Sequence, residues 1–509
     1  MTRILLDGRG ISPEDIWAVA HGAQTALCPE AEQRMQRNHQ EWLDLGAPDV
    51  LAGKEAWLLG STHAQRAPNP ERLRAFVESH CAGVGKSLPT VWVRALMAAR
   101  ANVLAGAHSG CRPDSVHMLI EMLNHRIHPV VPRLGSVGAA GDLAPLAHVA
   151  RVVFRLGGEA EVNGEILSAI EAMEPLSEFS PTSKEALSFI NGATLSSALA
   201  AIACVRAEKL LASSETILAM TMEAVLAQSG CIDESALQAR GQAGGIGVAR
   251  RLSAMLKDSE MVRPDRQADA FSIRCAPSVL GAAHDSLSHV KQVVTQELNG
   301  ACDNPLILNG KLIETGNFHG APIGLVMDQL KTTMTQVATL SERRTFRMTH
   351  GDLSGRLPSF LVDDTGTNSG FMLAQYTAAS LASECKGLAM PASVDSIPTG
   401  QHHEDHVSMA PIAARSCLRI LDALAEILGI EALCAAQALD FRIEGAHFDA
   451  DGKKQIGPSL RPSKSVQVSH ETVRKVSAQW TIDRVLHLEI QACAKLLRNG
   501  DLLPQTSPW

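Results

Sequence analysis

The run Gly135-Ser136-Val137-Gly138-Ala139-Ala140-Gly141-Asp142-Leu143-Ala144-Pro145-Leu146-Ala147-His148 decides how the rest of this chain is read. Three glycines in seven residues can hold backbone angles that residues with a Cβ avoid. Asp142 stands where a helix could begin, with Pro145 near its first turn. Spacing alone also suits an ordinary glycine turn feeding a helix. Two alanines at the crest and a carboxylate behind them are more than such a turn needs.

On either side, helical patterns dominate. Ser12-Pro13-Glu14-Asp15 reads as a helix start, with serine as cap and acids at the positive end of the dipole. Further helices are expected at Pro29–Leu43, after Asn69-Pro70-Glu71, at Thr90–Ala105 and at Pro113–Asn124, where apolar residues recur at helical spacing. Longer ones follow over Thr194–Gln228, His284–Leu298, Pro322–Arg344, Ser369–Ala389, Pro411–Leu439 and Glu471–Asn499. Thr194 to Val205 holds no charge, so that helix should be covered on all sides. Only two hairpins stand out, around Asn163-Gly164 and Asn309-Gly310, because Asn-Gly suits a type I′ turn. The segment Leu45–Pro70 reads as loop, and the Pro-, Ser- and Lys-rich stretch after Gln455 as a mobile one. The expected fold is all-α: a long-helix bundle over 201–509 and a smaller N-terminal helical region over 1–200 carrying the central run.

Composition narrows the function. The 509 residues carry a net charge of −8 with no basic stripe, which argues against nucleic acid as a partner. The opening apolar run is too short for a signal peptide, so none is expected, and no apolar run is long enough to span a membrane. Eleven scattered cysteines, an odd number without a Cys-x-x-Cys pair, suit reduced thiols in the cytoplasm rather than disulfides or zinc. His402-His403-Glu404-Asp405-His406 has no regular ligand spacing, so no metal is expected. There is a single tyrosine, Tyr376, which excludes any mechanism drawing two different phenols from this chain.

The central run resembles the signature of the aromatic amino acid ammonia-lyases, most closely the histidine ammonia-lyases. Seven further blocks resemble that family in its order: Ser79–Gly85, Lys184–Gly192, Phe271-Ser272-Ile273-Arg274-Cys275, Asp303–Leu306, Gly316–Gly320, Pro391–Ser396, and Glu404–Met409. The resemblance implies a mostly helical homotetramer with active sites shared between subunits, acting on a small amino acid. It also implies that an Ala-Ser-Gly tripeptide cyclises to a methylidene-imidazolone electrophile. Here the tripeptide is Ala139-Ala140-Gly141, and Ala140 has no hydroxyl to lose as water. The expectation is therefore a site with no such cofactor.

Other departures gather at the same implied pocket. The family's catalytic tyrosine loop reads Leu59-Gly60-Ser61-Thr62-His63 here, a second tyrosine is Phe271, a glutamine is His403 and a histidine is Met390. Arg274 is expected to bind the substrate carboxylate bidentately. His80, Phe271, Phe318, Leu59, His403 and Met390 are expected to line the substrate. Glu404, Lys386, His63 and Asn191 are the expected catalytic residues. On residue type alone, Arg274 and Lys386 read equally as surface charges, Asn191 as a turn cap and Glu404 as half of a solvated pair with Asp405.

A quaternary nitrogen has no lone pair to add to an electrophile and is already cationic. The expected reaction is loss of trimethylamine from a histidine-type betaine, as in the ergothionase branch of the family, which converts ergothioneine to thiourocanate. Two alternatives stay open: a histidine ammonia-lyase carried as an inactive serine-to-alanine variant, and a catalytically silent binding relative.

Overall fold

Ser12 illustrates how the helices are started. Its Oγ accepts from the backbone N–H of Asp15 at 3.1 Å, and the Asp15 carboxylate accepts from the Ser12 N–H at 2.9 Å, closing a reciprocal cap on Pro13–Ala20. Thr182 with Glu185 and Ser168 with Glu171 repeat the device. The computed structural model describes residues 3–51, 70–265, 269–449 and 452–504. Leu59 and His63 lie outside the described residues.

The helices at Pro29–Asp44, Pro70–His80, Thr90–Ala105 and Pro113–Asn124 fall where the periodicity places them. The long ones span Thr194–Ala224, Ala276–Leu298, Ala321–Thr349, Met372–Leu388 and Ala410–Ile443. Every residue from Thr194 to Val205 is buried, as an uncharged stretch requires. The fold is helical with a few short strands, as expected.

Three expectations need correction. Glu471–Asn499 is not one helix: Lys464–Arg474 and His487–Asn499 flank an irregular stretch. Its break is tertiary in origin, since buried Trp480 spends its N–H on Gln437 Oε1 at 2.8 Å and packs its ring against Phe371. The stretch after Gln455 contains the helix Lys464–Arg474, capped by Ser463, with Val466 and Val473 buried. Strands also go beyond the two hairpins. Arg3–Leu6 pairs in parallel with Gln24–Leu27; Val84–Ser87 pairs antiparallel with Pro132–Leu134, as does Ala446–Phe448 with Lys454–Ile456, and Ile127–Pro129 joins the first hairpin. Strands of three or four residues are too short to display an alternating pattern. The two hairpins form as read, with Asn163, Gly164, Asn309 and Gly310 all at positive φ.

The chain divides into two compact units. The first comprises Met1–Val205, Val290–Asp328 and Pro391–Arg415; the second Arg206–His289, Gln329–Met390 and Ser416–Trp509. Among the described residues, no helix is long and apolar enough to cross a membrane.

Candidate active site

In the first unit, the central run is a buried, heavily tied loop. Gly138 and Gly141 have φ of 72° and 82°. A Cβ on Gly141 would lie 2.0 Å from the Gly192 carbonyl carbon, and one on Gly138 would lie 2.3 Å from Ser408 Oγ. Both positions therefore need glycine for space as well as angle. The Gly138 carbonyl accepts from Gly320 N at 3.1 Å and Ser408 Oγ at 2.9 Å. The Val137 carbonyl accepts from Met409 N at 2.8 Å, and that of Ala140 from Gly192 N at 3.2 Å. Ala139 packs with Val407 and Met409 against Val137 and Ala392. The blocks at 191–192, 316–320 and 404–409 thus meet the central run directly.

Asp142 precedes the helix Leu143–Val153 but does not cap it with its side chain, contrary to expectation. Its carboxylate accepts instead from Ser196 N at 2.8 Å, Ser136 Oγ at 2.7 Å and Ser196 Oγ at 3.2 Å. It thereby caps the helix Thr194–Ala224, 54 residues further along the chain. Burial raises its pKa, with the bonds from Ser196 and Ser136 pulling the other way. Ser136 and Ser196 are not marked out by the sequence, since single hydroxyls among glycines or other hydroxyl residues carry no local signal.

Behind Gly192 lies a buried polar layer. Arg100 Nη1 donates to Thr194 Oγ1 and to the Cys302 carbonyl, each at 3.4 Å. Lys184 Nζ lies 2.6 Å from Ser188 Oγ and 3.3 Å from Asp303 Oδ2. Burial alone would raise the Asp303 pKa, but Lys184 and Arg100 more than offset it and hold the carboxyl low. Glu297 is the opposite case: burial pushes it to about 7, although the Cys302 thiol donates to Oε1 at 3.5 Å.

The expected ligand-facing residues of this unit are placed as follows. Asn191, buried after the helix Ser183–Ile190, has a side-chain Oδ1 without a hydrogen-bond partner among the described residues. An unsatisfied buried acceptor costs about 1–3 kcal/mol, so it marks a position held open for a donor. His80 ends the helix Pro70–His80, with Nδ1 2.7 Å from the Phe76 carbonyl. Phe318 is half-buried, beside a stacked pair formed by His319 and His406 at 5.6 Å. Glu404 is half-buried and accepts from Thr399 Oγ1, while Thr399 N donates to the Glu404 carbonyl at 3.0 Å. His403 is exposed.

Four others belong to the second unit. Phe271, 73% exposed, and Arg274, also exposed, flank a single helical turn. Lys386 is exposed in the last turn of Met372–Leu388. Met390 is 72% exposed, and its carbonyl accepts from Lys331 Nζ at 2.8 Å. Among the described residues, no group of three His, Cys, Asp or Glu side chains is placed to hold a metal ion.

The residues at the loop's crest do not fit a methylidene-imidazolone. Forming its exocyclic methylidene requires a β-hydroxyl to leave as water, and Ala140 presents a methyl group.

Residues 11–474 match the family model for aromatic amino acid lyases. Histidine ammonia-lyase of Gloeobacter violaceus is 38% identical over 98% of this chain and 96% of its own length. The crystal structure of histidine ammonia-lyase from Trypanosoma cruzi matches with a TM-score of 0.86 at 33% identity, over 98% of this chain and 94% of that one. Ergothionase from Treponema denticola, solved with desmethyl-ergothioneine sulfonic acid, matches with a TM-score of 0.85 at 25% identity, over 99% and 100%. The chain belongs to the aromatic amino acid lyase family. It is a carbon–nitrogen lyase, with higher identity to these histidine ammonia-lyases than to the ergothionase.

Proposed function

We propose that the protein eliminates trimethylamine from a histidine-type betaine, such as ergothioneine or the betaine of histidine itself, without a methylidene-imidazolone. Ala140 carries this reading. Kinship to histidine ammonia-lyases supports an imidazole side chain on the substrate. The missing electrophile supports a nitrogen that leaves without being captured. A base takes the β-proton, the C–H electrons form the new double bond, the C–N bond breaks, and neutral trimethylamine departs with that pair. Products are the conjugated acid, trimethylamine and one proton.

Each side chain has a role in this scheme. Arg274 fixes the substrate carboxylate through two parallel hydrogen bonds. Glu404 or His63 removes the β-proton, a contribution of about 10²–10⁴ in rate for a positioned base. Lys386 donates toward the ring and draws charge from the β-carbon, and Asn191 offers its open carbonyl. Phe271 and Phe318 attract the methylated cation by roughly 0.5–2 kcal/mol each. His80, Leu59, His403 and Met390 shape the pocket. The assembly is a homotetramer in the cytoplasm, in which other copies of the chain supply part of each site.

A second reading has its own support, the identity to histidine ammonia-lyases: a lyase for histidine silenced by alanine at position 140. Incubating purified protein with ergothioneine, histidine betaine and histidine separates the two. Trimethylamine and the absorbance of a conjugated acid support the proposal. Absence of both, with Ala140→Ser gaining a new absorbance and releasing ammonia from histidine, replaces it with the second reading.

A further inference from the structure

Phe271 and Arg274 stand on one helical turn, Phe271–Arg274, in which the Ala270 carbonyl accepts from Ile273 N at 3.0 Å and Arg274 N at 2.9 Å. A single turn fixes several dihedrals for few hydrogen bonds and is poorly stable alone. Both side chains project outward, so their aim depends on the backbone beneath them.

Beyond buried Ile273 and its continuation through Cys275 into the helix Ala276–Leu298, that backbone is gripped at two further points. Asp269 Oδ2 accepts from Gln228 N at 2.8 Å, just ahead of the 3₁₀ turn Ser229–Ile232. On the other side, Arg344 Nη1 donates to the Ser272 carbonyl at 3.4 Å. Arg344 is fully buried and forks onto Glu431, Nε to Oε1 at 2.5 Å and Nη2 to Oε2 at 2.7 Å. Thr221 Oγ1 also donates to Glu431 Oε1, at 2.7 Å. Three long helices thus contribute side chains to a desolvated ion pair, and one of the remaining Arg344 N–H groups meets this turn. Burying such a pair costs several kcal/mol per ion before its attraction is counted, so it is weak evidence for stability and better evidence for geometry.

We propose that Asp269 and the Arg344–Glu431 pair are positioning residues that aim Arg274 and Phe271 at the substrate. The inference rests on the reading of Arg274 as the carboxylate anchor. Bidentate recognition tolerates errors of about 0.5 Å, and a frayed turn exceeds that.

The test is Asp269→Ala, with Asp269→Asn retaining an oxygen acceptor. Histidine betaine is the probe, its affinity read by calorimetry and trimethylamine release by kinetics. Losing a charge-assisted bond is expected to weaken KM and Kd for the betaine about tenfold or more in the alanine variant, with kcat nearly unchanged. The asparagine variant should recover most of the loss. Arg274→Lys should cost much less in the Asp269→Ala background than in wild type, because an unaimed arginine has less to lose. Unchanged affinity in a folded Asp269→Ala protein, or effects of the two substitutions that simply multiply, overturns the inference. Wild-type protein that binds the betaine but releases no trimethylamine sinks the elimination reading instead, and the affinity ratios still judge the positioning. Wild-type protein that binds neither betaine nor histidine overturns both.

Discussion

The loop Gly135–Asp142 and the turn Phe271–Arg274 solve opposite problems. The loop is buried, and its shape is over-determined: Gly138, Ala140 and Asp142 are each tied to groups from distant segments. The turn is short, presents Phe271 and Arg274 over buried Ile273, and is gripped at Asp269 and Ser272. A shape held by so many backbone bonds does not depend on the side chain at position 140. A short turn tied by few side-chain bonds can be retuned by single substitutions. The backbone is thus fixed independently of residue 140 in the first region and adjustable in the second.

The sharpest way to break this contrast is Gly141→Ala. A methyl 2.0 Å from the Gly192 carbonyl carbon, at a left-handed φ, cannot be absorbed by side-chain movement. A loss above about 4 kcal/mol in denaturant unfolding, or failure to fold, is expected. A variant as stable as wild type would show that the loop is not over-determined.

Next in size is a pH effect beneath the same loop. The Glu297 carboxyl titrates near 7 in the folded protein, raised by burial from about 4.5. The folded state therefore holds the proton more tightly than the unfolded chain. Stability falls as pH rises between those two values, by up to about 1.4 kcal/mol per unit, and levels off above the folded value. Glu297→Gln should remove that part of the slope. Glu223, likewise pushed to about 7 by burial in the second unit, supplies a second slope that should persist. Identical urea midpoints across pH 5–8 in the wild type would refute both shifts.

The smallest effect is expected from Ala140→Ser. At this half-buried crest, the added hydroxyl should change stability by less than about 0.5 kcal/mol, whatever it does to activity. A large destabilisation would mean that the loop has already repacked around alanine.

Much of this could be read from residues in order. The glycines at 138 and 141, the Asn-Gly hairpins, the Ser12 cap and the uncharged helix from Thr194 are local patterns, and local patterns register in sequence. Asp142 was misplaced because a carboxylate ahead of a helix looks like that helix's own cap, and its true partner is 54 residues away. The helix expected over Glu471–Asn499 failed because Gln437, far upstream, claims the Trp480 N–H. The open Asn191 acceptor and the buried Glu297 depend on what fails to reach them, which adjacency along a chain cannot state.

The chain's order of residues by itself determined the family, the helical class and the alanine at the loop's crest, since each rests on identity and short-range spacing. Tertiary structure alone decided which carboxylates are forced toward neutrality, which carbonyl is left open, and that Arg344 grips the turn bearing Arg274. Those outcomes are set by desolvation and by hydrogen bonds between segments far apart in sequence, and both exist only once the chain has closed on itself.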